Sequence, residues 1–205
     1  MPASGQTEGA ARRERRADAE RSIASILDAA VDALGEDPDV SMAEIARRTG
    51  VVRATIYVHF PTREALLESV TERAFAEVGA VIDAAKPQEG EPKEALARVV
   101  VAAWRTLGRY HPLVAINVTT STPEELHARH AAVMGRLLPL IERGQAEGVF
   151  RTNVPATWHL AMVLAVIHAG SGELSAGRVP EADTEAALVA TVLGVAVGSG
   201  SAAAN

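Results

Sequence analysis

The stretch Gly50–Phe60, "GVVRATIYVHF", decides how the rest of the chain is read. A helix that only builds a core shows one apolar stripe and one charged face. Here Ile56 and Phe60, four apart, share the inward side, and Arg53, Ala54, Thr55, Tyr57, Val58 and His59 ring the remaining surface. Pro61 closes the segment, and Thr62 is placed to cap a following helix.

Immediately upstream, Ser41 is followed three residues later by Glu44, the spacing of a capping box at the start of another short helix, "MAEIARRT". That helix puts Met42, Ile45 and Ala46 inward and Arg47 and Arg48 outward, and Gly50 supplies the tight turn after it. Two short helices joined in this way make a helix-turn-helix, whose second helix enters the major groove. Ala54 and Thr55 are small enough to approach base edges and thymine methyls, and Arg53 reaches a guanine. Tyr57, His59 and Arg63 can hold phosphates. Thr62 with Arg63 opens a helix whose amino terminus attracts anions, and Ser41 completes the DNA-binding set. The same spacing also suits an ordinary helical hairpin with a solvated face, and spacing alone leaves both readings open.

The longer segment Ser41–Leu67, "SMAEIARRTGVVRATIYVHFPTREALL", resembles the DNA-binding signature of the TetR family of bacterial transcriptional regulators. The likeness rests on Ile45, Ala46, Gly50, Val51, Thr55, Tyr57, His59, Phe60, Arg63, Glu64 and Leu66. It implies a homodimer that binds a pseudo-palindromic operator and is released by a small ligand held in the carboxy-terminal domain. Two positions depart from the pattern. Val52 stands where relatives usually carry Ser or Thr, so the third helix lacks a capping hydroxyl that typically contributes ~1 kcal/mol. Val58 stands where relatives often carry a polar residue, and either moves specificity toward apolar contact with thymine methyls or leaves that position unread.

Composition agrees with a helical protein. Of 205 residues, 48% are hydrophobic, 22% charged and only 3% aromatic, a balance that favours closely packed Ala, Val and Leu helices. The expected fold is all-α, with about nine helices divided between a helix-turn-helix domain and a larger ligand-binding and dimerisation domain. The expected boundaries are a disordered basic arm over 1–17, the DNA-binding domain over 18–62 and the carboxy-terminal domain over 63–205. With no cysteine there is no disulfide framework, thiolate zinc site or cysteine nucleophile. The polar first residues hold no apolar leader, and a cytoplasmic protein is expected. The net charge of −6 argues against indiscriminate binding to a polyanion, so contact with DNA must be local to one face. Against that average, Arg12, Arg13, Arg15, Arg16 and Arg21 crowd the amino-terminal arm.

Along the chain, Ile23, Ile26, Leu27, Ala30, Val31 and Leu34 mark a first amphipathic helix that Gly35 ends. Leu66, Leu67, Val70, Ala74, Val78 and Val81 mark a long fourth one. "KPQEGEP" is the clearest linker. A helix through Trp104 stops near "RYHP", and "LVAINVTTS" is a short apolar piece leading to a second capping box at Thr122, Pro123 and Glu125. The stretches beginning at Val154 and Ala186 are apolar nearly all round, yet each is shorter than the ~18 residues of a membrane span. Their Ala161, Ala165, Ala190 and Gly194 permit close helix approach. A two-fold four-helix interface would bury them, and a monomer core is the alternative.

Trp104, His111, Asn117, Met134, Trp158, Met162 and His168 are the aromatic, flexible or polar groups expected to line a mostly apolar ligand pocket, the alternative being that some are ordinary core. His127 and His130, three apart and near Glu124, could ligate a metal, but ordinary histidines explain them and no metal or cofactor is expected. No catalytic residue is assigned. The leading expectation is a ligand-responsive repressor whose effector is a small apolar molecule, neutral or cationic because no basic cluster awaits an anion. The competing classes are an all-α enzyme using His111, His127, His130 or His168, and a protein-binding module on the same fold.

Overall fold

The structure is a computed structural model that describes residues 4–197. Its contacts divide the chain into two compact units, one ending at Thr71 and the other beginning at Glu72.

In the first unit α1 (Ser4–Glu36) is followed by α2 (Met42–Thr49), α3 (Arg53–His59) and the opening turns of α4 (Arg63–Ala84). The apolar stripe of α1 is buried from Ile26 through Leu34, and α1 packs on α2 and α2 on α3. Met42, Ile45 and Ala46 from α2, Ile56 and Phe60 from the α3 segment, and Leu66 and Val70 from α4 complete this small core. Gly50 sits at φ 68°, the left-handed conformation that a turn this tight demands and that side chains resist. The arm expected to be disordered over 1–17 is helical from Ser4 onward, with Ala10, Ala11 and Ala17 among its helix-favouring residues. Residues 1–3 of that range lie outside the described residues.

The second unit contains the remainder of α4 with α5 (Pro92–Leu107), α6 (His111–Thr120), α7 (Pro123–Ala146), α8 (Ala156–Ser175) and α9 (Glu181–Ala196). Helix α8 packs against α6, α7 and α9, and α5 against α7 and α9. The core between them joins Leu96, Val99 and Val100 of α5 to Leu137, Leu140 and Ile141 of α7, Val163 and Ile167 of α8, and Val192 and Ala196 of α9. Thr122 and Glu125 form the complete capping box at the head of α7, with Thr122 N donating to Glu125 Oε2 at 2.8 Å and Glu125 N to Thr122 Oγ1 at 3.2 Å. Phe150 closes one end of the core and lies so near α7 that a Cβ on Gly144 would stand 2.1 Å from its ring.

"KPQEGEP", the linker expected from its composition, is a tight α4–α5 connection inside the second unit. Arg98 donates to the Glu89 carbonyl at 2.8 Å and Arg143 to the Gly90 carbonyl at 2.8 Å, so its backbone is pinned. The short apolar piece "LVAINVTTS" is helical: Pro112 at the first turn and the apolar run after it form α6, preceded by a single 3-10 turn at Gly108–Tyr110. The division between the two units falls within α4, between Thr71 and Glu72.

Candidate nucleic-acid interface and effector site

Ser41 caps α2 by accepting from Glu44 N at 3.3 Å. The reciprocal half of the expected capping box is absent, because the Glu44 carboxylate turns to Arg47, at 2.6 and 2.8 Å, and to Arg48 at 3.1 Å. Those hydrogen bonds, Arg47 first, hold the Glu44 carboxyl down at about 2. Arg48 also meets Glu36 at 2.8 Å. Both arginines of α2 are thereby matched by carboxylates.

Helix α3 presents its chemistry outward. Ile56 is fully buried and anchors the helix, while Arg53 and Ala54 are exposed and Thr55 and His59 half-exposed. Tyr57 is 39% exposed and Val58 77%. The Arg53 guanidinium stacks over the Tyr57 ring at 5.6 Å, which holds two long side chains side by side on one face. Val52 occupies the N-cap in extended conformation, 72% exposed and with no side-chain hydrogen bond, as its missing hydroxyl requires. After the turn at Phe60, Thr62 Oγ1 accepts from Ala65 N at 3.1 Å and caps α4. Arg63 is spent otherwise: its guanidinium donates to the carbonyls of Pro38 and Val40, tying the head of α4 to the α1–α2 loop. Ser41, Arg53, Ala54, Thr55, Tyr57, His59 and Thr62 thus sit on or beside the exposed α2–α3 surface.

In the second unit the seven residues expected to line a pocket do not act alike. Trp104 is buried with its ring centroid 4.4 Å from that of His111, which is itself buried and leaves Nε2 without a hydrogen bond. Burial lowers the His111 pKa, against a smaller opposing pull from Glu181. Asn117, Met134 and Met162 are half-buried. His168 packs edge-on against His130 at 5.1 Å, and His130 against Phe75 at 4.9 Å. His130 Nδ1 donates to the Leu126 carbonyl at 2.7 Å, so Nε2 carries the lone pair. Burial, with His130 adding to it, lowers His168 to about 4, and burial likewise lowers His130. Both imidazoles are therefore neutral at pH 7. Trp158 stands apart, 54% exposed on the side of α8 that also exposes Ala161, Ala165 and Ala169.

His127 points to solvent while His130 turns inward, so the pair does not converge on a metal, and among the described residues no group of three potential ligands does. Phe75 is not among the candidates the sequence offers, and His130, a candidate there only as a metal ligand or enzyme histidine, falls instead on the apolar stripe of α7. Also missed was the link from Tyr110 Oη to Glu77 Oε2 at 2.8 Å, with Arg73 Nε 2.9 Å from the other carboxylate oxygen. Burial alone would raise Glu77; the bonds from Arg73 and Tyr110 bring it below its usual value.

An exposed helix of this composition behind a capped helix and a glycine turn defines a helix-turn-helix DNA-binding protein. Residues 26–70 match the family model described as bacterial regulatory proteins, tetR family. Over this region the chain is similar to the DNA-binding part of TetR-family transcriptional regulators. It is 29% identical over 121 residues to the HTH-type transcriptional repressor NicS of Pseudomonas putida, a match spanning 55% of this chain and 57% of NicS. To the repressor LfrR of Mycolicibacterium smegmatis it is 28% identical over 151 residues, covering 74% of this chain and 78% of LfrR. The crystal structure of LfrR in complex with proflavine shares the fold with a TM-score of 0.69 at 24% identity, over 87% of this chain and 98% of that one. Among the described residues no helix is long and apolar enough to cross a membrane.

Proposed function

We propose that the protein is a repressor. It acts as a homodimer joined through α8 and α9, reads a pseudo-palindromic operator with its two α3 helices, and leaves the DNA when a small apolar molecule occupies the second unit. The observation that carries this reading is the outward surface of α3. Arg53 stacked on Tyr57 lies beside two small residues and two exposed valines, a face with no use inside the unit and the composition that base edges and phosphates require. Arg53 is the base-reading residue; Tyr57, His59 and the capped head of α4 at Thr62 hold phosphates. Ser41 positions α2, and Arg63 contributes by fixing the loop beneath α4.

The interface is supported by the outer sides of the last two helices. Ala161, Ala165, Ala169 and Gly172 of α8, and Ala186, Ala187, Ala190 and Gly194 of α9, are all exposed, and they recur at helical spacing. Small residues of this kind let two helix pairs approach closely. Trp158, at the head of α8, belongs with that surface.

The effector site is supported by Phe75, Met134, His130 and His168, with Trp104 and His111 as a second aromatic pair. Neutral imidazoles among apolar groups favour a neutral or cationic molecule over an anion. The solved relative bound to proflavine supports a small-molecule effector. Phe75 is carried by α4, whose first turns belong to the DNA-binding unit, so pressure on that ring acts on a helix common to both. Mobility-shift titration against the DNA upstream of its own gene tests the function. A shift specific over random duplex, reversed by compounds that raise the melting temperature, is expected. No specific shift by the ligand-free dimer refutes it.

A further inference from the structure

From Asp18 to Thr71 the chain has five arginines and no lysine against ten carboxylates. All five arginines are engaged: Arg21 with Asp18, Arg47 with Glu44, Arg48 with Glu36 and Glu44, Arg53 over Tyr57, and Arg63 on two carbonyls. The helix-turn-helix proper is therefore acidic and holds little uncommitted positive charge. A polyanion is repelled by such a surface. Yet proteins that bind duplex DNA draw essentially all of their non-specific affinity from phosphate neutralisation.

The missing charge lies just upstream. Ala11–Ala17, "ARRERRA", holds four arginines and one carboxylate, and α1 runs through it. At 100° per residue Arg12, Arg13, Arg15 and Arg16 fall within an arc of roughly 160°, with Glu14 on the opposite side. None of the described side chains from Arg13 to Ser25 is buried, and among the described side chains burial begins at Ile26. From Ser4 to Ser25 the helix runs for roughly 30 Å ahead of that residue. Helices in proteins owe most of their stability to a packed face, and the described side chains from Arg13 to Ser25 supply no buried one. Its ion pairs, Arg16 with Glu20 at 3.0 Å and Arg21 with Asp18, are exposed and easily exchanged for phosphates.

Given the DNA-reading role of α3, we infer that the arginine-rich start of α1 is a second DNA-binding element. Arg12, Arg13, Arg15 and Arg16 grip the phosphates flanking the site that α3 reads and supply most of the electrostatic affinity. Helix α3 then selects the sequence while the extension holds the duplex.

The test uses the full chain and two duplexes of equal length, the DNA upstream of its own gene and a random sequence. Binding is measured from low to moderate salt for the wild type, for the fourfold Arg→Gln variant at positions 12, 13, 15 and 16, and for the fourfold Arg→Lys variant. Each phosphate contact contributes about 0.9 to the slope of log affinity against log salt. In a dimer the glutamine variant should lose about 4 to 7 from that slope on both duplexes and bind at least tenfold more weakly near physiological salt. Its preference for the promoter over the random duplex should survive. The lysine variant should keep its slope to within about one. An unchanged slope in the glutamine variant overturns the inference, as does an equal loss in the lysine variant, which would assign the effect to the helix rather than its charge. If the wild type shows no promoter preference while the slope still falls, the operator-binding function fails and the phosphate grip stands.

Discussion

Replacing Arg53 by alanine should remove sequence discrimination while leaving the fold intact, since the side chain is exposed and stacks over the Tyr57 ring. A good bidentate arginine–guanine contact is worth about 1–3 kcal/mol of discrimination. To make it the guanidinium must leave the Tyr57 ring, where an exposed cation–π contact gives back about 0.5–1 kcal/mol. The net is about 0.5–2 kcal/mol per half-site, and a two-fold dimer doubles it. The ratio of promoter to random-duplex affinity should therefore fall by roughly fivefold to nearly a thousandfold. Competition titration of labelled promoter DNA with random duplex reads this ratio directly. Tyr57→Ala is the contrast: it removes a phosphate contact and should weaken binding on all sequences alike. If Arg53→Ala lowers affinity for promoter and random duplex by the same factor, Arg53 is a phosphate contact and base reading by this residue is refuted.

Val52→Ser restores an acceptor at the α3 N-cap and should stabilise the protein by ~1 kcal/mol, seen as a rise of about 2–4 °C in helix melting by circular dichroism. Gly144→Ala drives a methyl into the Phe150 ring and should destabilise by about 1–3 kcal/mol in urea unfolding, with Phe150→Leu in the same chain recovering part of the loss. Because burial holds His168 down to about 4, below the ~6.5 of an unfolded histidine, the unfolded chain takes up the extra proton. Stability that is full above pH 6.5 should drop as the pH falls toward 4, and a His168→Gln variant should show a shallower melting-temperature profile across that window. Ala165→Glu places a charge on the exposed face of α8 and should give monomers in sedimentation experiments; an unchanged dimer would move the interface elsewhere.

What the amino-acid order determined by itself was local. Stripe spacing marked the buried faces of α1, α2 and α7, hydroxyl caps at Ser41, Thr62 and Thr122 marked helix starts, and Gly50 marked the turn. These features lie within one or two helical turns, so neighbours along the chain suffice to specify them. The surface of α3 was legible for the same reason: only Ile56 of its seven residues is buried, leaving the others to declare themselves.

Tertiary structure decided everything that depends on which residues distant in sequence come to lie alongside. Arg63 looked like a phosphate ligand until the carbonyls of Pro38 and Val40 claimed it. Trp158 looked like pocket lining, but its side of α8 is left uncovered. His130, weighed as a metal ligand with His127, is turned inward between Phe75 and His168, residues from two other helices. The α4–α5 connection reads as a loose linker only until Arg98 and Arg143 are seen to bind its carbonyls. Periodicity tells a helix which side to bury. The partner that covers that side, and the free energy gained there, come from chain segments tens of residues away, and only the folded packing brings them together.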